Sequence, residues 1–228
     1  MLSTLKQDRC TGPETRPLSH AEILASPAFF GIEVRIARHL VGIHEKSPRL
    51  ARLKASHQKW FMTQMLFALQ LERDAEGQHL GLTPTRLHDS IAPYNTASRN
   101  TAASFLAEIL AYKFIREMPH PRDRRMHMYE TTESATQAMV SWFDGHMACL
   151  DEMDGGSRHA LSTADRRIFW MAQPRAARAL LKDVHWRVLP DSIASFIRSE
   201  SGGRGMHEIV SRMSPANVEG DRVYAGEI

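Results

Sequence analysis

An arginine-rich turn is the most chemically specific stretch of this sequence, and it reads MPHPRDRRMHMYETT from residue 118 to residue 132. Proline lacks a backbone N–H and fixes φ, so the two prolines exclude a helix interior and a central strand and favour a projecting turn. Guanidinium groups on such a turn can reach DNA phosphates or enter an adjacent minor groove. The candidate arginines are Arg122, Arg124 and Arg125.

A second set of polar residues lies at the front of a predicted helix that runs from about residue 95 to Lys113. An apolar stripe from Ala102 to Leu110 predicts how this helix is held to the core. Its front is small, polar and hydrogen-bonding, which suits entry into the major groove, with Arg99 facing guanine and Asn100 facing adenine. The predicted DNA-binding residues of this helix are Thr96, Ser98, Arg99, Asn100, Thr101 and Ser104.

Capping and proline signals predict the elements that position these residues. The N-terminal helices begin at the capping box Ser19–Glu22 and at Ser26-Pro27, and another helical segment opens at Ser47-Pro48, with a break between Ala55 and Gln58. It runs to about Asp74, and its apolar positions Trp60, Phe61, Met62 and Met65 favour plain core, with the lining of an effector pocket as the alternative.

The middle of the chain has a distinctive order of predicted elements. Thr83-Pro84 opens a short helix that Pro93 closes, and Asn95 or Thr96 caps the next helix. Two strands, 114–118 and 124–130, flank a five-residue turn, and Thr131 or Thr132 caps the helix that follows. This order of helix, short helix, turn, helix, hairpin and helix predicts a mainly α fold with a winged helix-turn-helix, a two-stranded wing and additional N- and C-terminal helices.

The last third is predicted to be helical as well. One helix starts between Ser162 and Asp165, another follows Pro174, and a short one from Pro190-Asp191 ends at Gly202-Gly203, before a last helix from Arg204 to Met213. A piece this small can barely sustain its own core, so its apolar residues are expected to pack on the winged core or on a partner subunit. These residues are Leu180, Val184, Val188, Phe196 and Ile197.

With these elements placed, residues 57–135 resemble the DNA-binding core of the MarR family of bacterial transcriptional regulators. LTPTRLHDSI (82–91) is similar to the first helix of that family's helix-turn-helix, NTASRNTAASFLAEIL (95–110) to its recognition helix, and HPRDRRMHMYETTE (120–133) to its wing signature. The resemblance implies that Asp123 orients an arginine through a charge-assisted pair and does not read DNA. Positions 120, 131 and 135 depart from the family pattern, and Lys113 replaces the glycine that ordinarily ends the recognition helix.

Composition limits the other function classes. From Arg49 to Tyr129, 12 basic residues stand against 7 acidic ones, a surplus of 5 that suits a polyanion as well as an ordinary solvated surface. Motifs for acyl transfer, for a phosphate loop and for a dinucleotide fold are missing, so the protein is predicted not to be an enzyme. The histidines lack metal-ligand spacing, and Cys149 is predicted to be a buried small side chain, with a redox sensor as the alternative.

These observations predict a sequence-specific, double-stranded DNA-binding transcriptional regulator that binds a pseudo-palindromic operator as a homodimer. The alternative is a winged-helix protein-interaction module without DNA binding. We expect no cofactor, no metal and no membrane span, and cytoplasmic localisation; whether a small-molecule effector binds is left open. The expected organisation is a tail (1–18), a MarR-like winged domain with dimerisation helices (19–150), a helical extension (151–215) and a second tail (216–228).

Overall fold

The computed structural model describes residues 18–46, 56–72, 81–119, 127–197, 199, 202–214, 218–219 and 222–223. Over these ranges the chain is mainly helical and carries an antiparallel two-stranded sheet, β1–β2, and a second, very short hairpin, β3–β4. The helices are α1 (His20–Ala25), α2 (Phe29–Lys46), α3 (His57–Leu71), α4 (Pro84–Ile91), α5 (Arg99–Ala111), α6 (Glu133–Asp154), α7 (Arg158–Ala164), α8 (Arg167–Lys182), α9 (Val184–Arg187), α10 (Asp191–Ile197) and α11 (Gly202–Arg212). The strands are β1 (Ile115–Pro119), β2 (His127–Thr131), β3 (Val218–Glu219) and β4 (Arg222–Val223).

Helix α3 is the centre of the fold. Every residue from Phe61 to Leu69 is buried, as expected of a helix that is covered on all sides. Helices α4 and α8 and strand β2 pack around it. Helix α3 begins at His57, where the sequence predicts a break, and Ser56 caps it through its hydroxyl; the helical segment predicted to open at Ser47-Pro48 lies outside the described residues. Phe61, Met62 and Met65 are core residues, whereas Trp60 is only partly buried.

Helix α1 begins where the sequence predicts, but the predicted start of the second helix at Ser26-Pro27 is wrong: Ser26 is the C-cap of α1, and α2 begins at Phe29. Ser19 forms a capping box with Glu22, since the Glu22 carboxylate accepts from the Ser19 backbone N–H at 2.8 Å. Helix α2 lies against α6 and α11 and buries its apolar side. Arg38 on α2 donates to the Ser211 carbonyl of α11 at 2.8 Å, which ties the two ends of the described chain together.

The C-terminal helices share the core of the middle of the chain. Phe169, Ala177 and Leu181 of α8 are buried in the same apolar cluster as α3, and Leu180 is partly buried against it. The expectation that this third packs onto the middle of the chain is therefore confirmed for α8. Within the chain, however, the side chains of Val184, Val188 and Phe196 are exposed, and Ile197 is half-buried.

Three predicted helix boundaries in this third are wrong. Ser162 does not open a helix: it is buried inside α7, where its hydroxyl donates to Asp144 at 2.9 Å. Pro174 lies in the interior of α8, because the packing of that helix on α3 outweighs the hydrogen bond that proline removes. Gly202 and Gly203 begin α11 instead of ending the preceding helix.

Helix length and composition also bear on membranes. Among the described residues, no helix is both long enough and apolar enough to cross a lipid bilayer. The stretch expected to be a tail at residues 216–228 includes the β3–β4 hairpin, in which Val218 pairs with Val223 and Glu219 with Arg222.

Candidate nucleic-acid interface

Helix α4 is fixed to the core by its cap and by one arginine. The Thr83 hydroxyl accepts from the Arg86 backbone N–H at 3.2 Å, and Pro84 occupies the first turn, as predicted. The Arg86 guanidinium donates to the Glu72 carboxylate at 3.1 Å and also to the Gly81 carbonyl. Glu72 accepts in addition from Arg178 of α8 at 2.7 Å, so one carboxylate joins α3, α4 and α8.

The Arg86 guanidinium is already paired within the protein. Burial lowers the pKa of its guanidinium, and the neighbouring Glu72 carboxylate acts in the opposite direction. A half-buried cation held by a carboxylate and a carbonyl is a structural residue and is not free to bind phosphate. This role was not predicted from the sequence, because the partner Glu72 precedes the helix and Arg178, which shares Glu72, lies 106 positions after it.

A tight turn sets the angle between α4 and α5. A 3₁₀ turn, Ala92–Tyr94, follows α4 and ends at Asn95, whose φ of 52° is left-handed. Asparagine tolerates this conformation better than most residues do. The next carbonyl, that of Thr96, accepts from the Gln58 amide at 2.6 Å, which anchors the turn to α3.

The predicted cap of α5 at Asn95 or Thr96 is wrong. Ser98 is the N-cap, because its backbone is extended and its hydroxyl accepts from the Thr101 N–H at 3.1 Å. The left-handed Asn95 delays the helix by three residues. Thr96 therefore lies before α5, and its hydroxyl oxygen is shielded from solvent with no hydrogen-bond partner in the described part of the chain.

The exposed face of α5 is narrow, and its side chains are small. Asn100, Ala103, Ser104, Ala107 and Ala111 are exposed at helical spacing, while Ala102, Phe105, Leu106 and Ile109 are buried on the opposite side. Of the predicted contacts on this helix, Arg99, Asn100 and Ser104 are thus brought to one surface. Ser98 and Thr101 are at the same end but bond to each other at 2.9 Å, and Thr101 is half-buried.

The exposed face of α5 carries no acidic side chain. Its one acid, Glu108, is partly buried and pairs with Lys59 of α3 at 2.8 Å. A polyanion that approaches the exposed face therefore meets Arg99, small neutral side chains and the positive end of the helix dipole.

The C-terminus of α5 is closed by a lysine in an unusual conformation. The helix ends at Ala111, two residues earlier than predicted, and Lys113 has a φ of 60°. The Lys113 N–H donates to the Leu110 carbonyl at 2.9 Å, and the Phe114 N–H donates to the Ile109 carbonyl at 2.9 Å. This is the Schellman pattern, so the left-handed cap forms although its usual glycine is missing.

The hairpin β1–β2 follows directly and is bound to the helices on both sides. Tyr129 of β2 donates its backbone N–H to the Leu82 carbonyl at 2.8 Å, in an isolated bridge just before α4. The Thr132 hydroxyl donates towards the Lys113 and Phe114 carbonyls at 3.0 and 3.2 Å. Thr132 is therefore the N-cap of α6 by position, but its side chain holds the end of α5 instead of capping a helix N–H.

Polar and charged side chains face one another across the described part of the hairpin. Arg116 faces Glu130 across the two strands and forms an ion pair with it, and His127 lies 3.4 Å from the Glu117 carboxylate. The predicted strands are shifted slightly, to 115–119 and 127–131, within the described residues. The predicted wing residues Arg122, Asp123, Arg124 and Arg125 lie outside the described residues.

The structure also bears on a metal site and on Cys149. Among the described residues, no group of three or more His, Cys, Asp or Glu side chains is arranged to hold a metal ion. Cys149 on α6 is half-buried, and burial, followed by the nearby Glu152 carboxylate, raises the pKa of its thiol. A raised pKa disfavours the reactive thiolate, which favours the packing role over the redox alternative.

Comparison of the chain with family models, with curated proteins and with solved structures finds no match. Function is therefore inferred from the geometry of the chain.

Proposed function

We propose that this protein is a sequence-specific double-stranded DNA-binding regulator with a winged helix-turn-helix similar to that of MarR proteins. In this proposal α4 and α5 are the two helices of the motif, α5 enters the major groove, and the hairpin β1–β2 is the base of the wing. The observation that carries the proposal is the exposed face of α5, whose residues are small or polar, include no acid and stand opposite a fully buried apolar face.

The dimensions of α5 support this assignment. It has 13 residues, hence a length of about 20 Å. A major groove about 12 Å wide accepts a helix of ordinary diameter, and alanines at 103, 107 and 111 allow the backbone to approach base edges closely. Alanine methyl groups also suit contact with the methyl group of thymine, while Arg99 and Asn100 supply hydrogen bonds to guanine and adenine.

Contacts at both ends of α5 favour a rigid helix. Its start is anchored by the Ser98 cap and by the Gln58–Thr96 hydrogen bond, and its end by the Schellman turn and the Thr132 hydroxyl. A helix fixed at both ends loses little conformational entropy on binding, so more of the contact energy contributes to affinity.

The wing part of the proposal depends on the arginines at the turn. Glu117 and Glu130 lie on the strands, where Glu130 pairs with Arg116 and Glu117 lies 3.4 Å from His127. Phosphate contacts are accordingly assigned to Arg122, Arg124 and Arg125, with Asp123 orienting one of them. Two copies related by a two-fold axis would place two α5 helices on half-sites about one helical turn apart, as a pseudo-palindromic operator requires.

The experiment that tests the proposal starts with selection of duplexes from a random pool by the full-length protein. Binding of a selected duplex is then measured by fluorescence anisotropy for wild type, Arg99→Ala, Asn100→Ala and the control Arg175→Ala. Arg175 is an exposed arginine on α8, a helix that has no part in the proposed interface, and it donates to the Met171 carbonyl at 2.8 Å. Each α5 variant should lose about 1–3 kcal/mol on the selected duplex and much less on random DNA.

A second variant tests the fit of α5 in the groove without removing a contact. Ala107→Glu places a carboxylate at the centre of the exposed face, where it leaves the core untouched and preserves helix propensity. It should abolish binding to every duplex by repelling the phosphates. A pool from which no duplex is enriched, or an Ala107→Glu protein that binds like wild type, contradicts the proposal and favours the alternative of a protein-interaction module.

A further inference from the structure

An exposed arginine of the C-terminal third lies against the turn that leads into α5. The Arg187 guanidinium carbon is 5.6 Å from the centroid of the Tyr94 ring, and Tyr94 ends the 3₁₀ turn between α4 and α5. Arg187, Tyr94, Asn95 and Thr96 line the same pocket. Helix α9 therefore places a positive charge beside the segment that ends at Ser98, the N-cap of α5.

The charge of Arg187 is not neutralised within the described part of the chain. Carboxylates pair with many of the other described arginines, among them Arg86, Arg116, Arg158, Arg166 and Arg178. Arg187 has no such partner among the described residues, and the described lining of its pocket contains no Asp or Glu. Because the Tyr94 ring carries no net charge, it orients the guanidinium and leaves the positive charge and the N–H donors at the guanidinium edge available.

Contacts with α3 hold the backbone of α9 in position. The Trp186 carbonyl accepts from the His57 imidazole, whose ring stacks against the Trp186 indole at a centroid distance of 6.4 Å. The Trp60 ring lies 5.5 Å from the same indole. Arg187 follows Trp186 directly in the chain, so its backbone is fixed by these contacts. A charge that is already held in this way loses less conformational freedom on binding than a charge on a flexible tail does.

The place of Arg187 beside α5 suits a contact with the edge of a major groove. Under the proposed function, α5 occupies the groove with Arg99 and Asn100 at its N-terminal end. A helix about 10–12 Å across with its side chains fills a groove about 12 Å wide, so a residue beside the start of that helix stands at the edge, where the phosphates lie. Phosphate contacts fix the register of a recognition helix on the duplex and carry no sequence information.

We propose that Arg187 donates to a phosphate of the same duplex that α5 enters. The C-terminal third thereby supplies a contact with the DNA backbone, in addition to the contacts assigned to the wing. This inference rests on the proposed function and adds to it a residue from outside the helix-turn-helix and the wing. Arg187 strengthens binding to every duplex alike and does not change the sequence preference.

The test measures how the binding of DNA by the full-length protein depends on salt. Fluorescence anisotropy gives the affinity for the selected duplex and for a random duplex between about 50 and about 200 mM salt. Loss of one phosphate contact should lower the slope of log K against log salt by about 0.9. Because this contribution vanishes near about 1 M salt, the same loss should weaken binding about eightfold at about 0.1 M salt.

Three substitutions of Arg187 separate charge from shape. Arg187→Gln should show both effects on both duplexes, Arg187→Lys should keep the slope because it keeps the charge, and Arg187→Glu should bind more weakly than Arg187→Gln because it repels the phosphate. Arg175→Gln removes an exposed arginine from α8, a helix that has no part in the proposed interface, and should change neither affinity nor slope. Because Arg187 is exposed, its variants should keep the circular dichroism spectrum and the melting temperature of the wild type.

The outcomes distinguish this inference from the proposed function. If Arg187→Gln binds like wild type while Arg99→Ala loses its preference for the selected duplex, the proposed function stands and the contact from Arg187 is overturned. A loss confined to the selected duplex also overturns it, because a phosphate contact acts on every sequence. An equal change in Arg175→Gln overturns it as well, since the effect then reflects net charge alone. If wild type binds no duplex, the proposed function and the contact from Arg187 are both overturned.

Discussion

The left-handed lysine that ends α5 allows a sharp test of how the candidate reading helix is held. Lys113 has a φ of 60°, a conformation that brings its β-carbon close to backbone oxygen. Glycine has no β-carbon and is the residue most often found at this position of a Schellman turn. We therefore expect Lys113→Gly to stabilise the protein while all of the hydrogen bonds of the turn are kept.

The size of the effect follows from three opposing terms. Relief of the left-handed strain contributes about 1–2 kcal/mol. Against it stand the greater freedom of glycine in the unfolded chain, about 0.4–1 kcal/mol, and the loss of a cation near the helix C-terminus, about 0.3 kcal/mol for an exposed side chain. The net gain is about 0.5 kcal/mol. With a urea m-value of about 2 kcal/mol/M, the midpoint rises by about 0.2–0.3 M.

Equilibrium urea unfolding followed by circular dichroism measures this gain, and two variants serve as controls. Lys113→Ala removes the charge but keeps the β-carbon, so its midpoint should not rise. Asn95→Gly changes the other left-handed non-glycine residue described, and its free energy of unfolding should change by only a few tenths of a kcal/mol, because asparagine already tolerates the conformation. A Lys113→Gly midpoint no higher than that of Lys113→Ala would refute the argument from backbone strain.

Three further predictions concern pH, charge and packing. Burial lowers the pKa of His57 in the folded protein, so as pH falls below 6.5 this side chain is protonated more readily in the unfolded chain than in the folded one. The free energy of unfolding should therefore fall from pH 7.5 to 5.5, and it should fall less steeply in His57→Phe. Glu72→Gln should cost about 1–2 kcal/mol, because it leaves a half-buried arginine without its anion, whereas Glu152→Gln, in an exposed pair, should change stability by less than about 0.5 kcal/mol. Phe169→Ala should cost about 3–5 kcal/mol and its half-exposed neighbour Trp170→Ala less than about 1 kcal/mol; equal losses would contradict the shared core.

Signals that act within one turn of helix were predictable from the sequence. The Ser19 capping box and the Thr83-Pro84 start depend on side chains that bond three residues away, so their pattern is visible in the sequence and both form as expected. The apolar stripe of α5 is of the same kind, and its buried residues were correctly assigned. The hairpin was also foreseen, since two prolines and a turn separate half-buried strands.

Signals that depend on distant partners were not predictable. The start of α5 is decided by the left-handed Asn95 and by Gln58, which bonds the Thr96 carbonyl 38 positions later in the chain, and not by the nearest residue able to cap a helix. Pro174 is tolerated inside α8 because tertiary packing on α3 outweighs the local preference against it. At the end of α5, the Thr132 hydroxyl bonds the Lys113 carbonyl and helps the turn form without its glycine.

The C-terminal third bears on the candidate interface through these long-range contacts. Arg178 shares Glu72 with Arg86, and Trp186 holds His57 at the start of α3, one position before the Gln58 that anchors the turn leading into α5. The orientation of α5 is therefore coupled to the placement of α8 and α9. Helix α9 is joined to His57 by a hydrogen bond and a ring stack, and Gln58 follows His57 in the same helix. Under the proposed function, this connection links the last third of the chain to the helix that is assigned to the major groove.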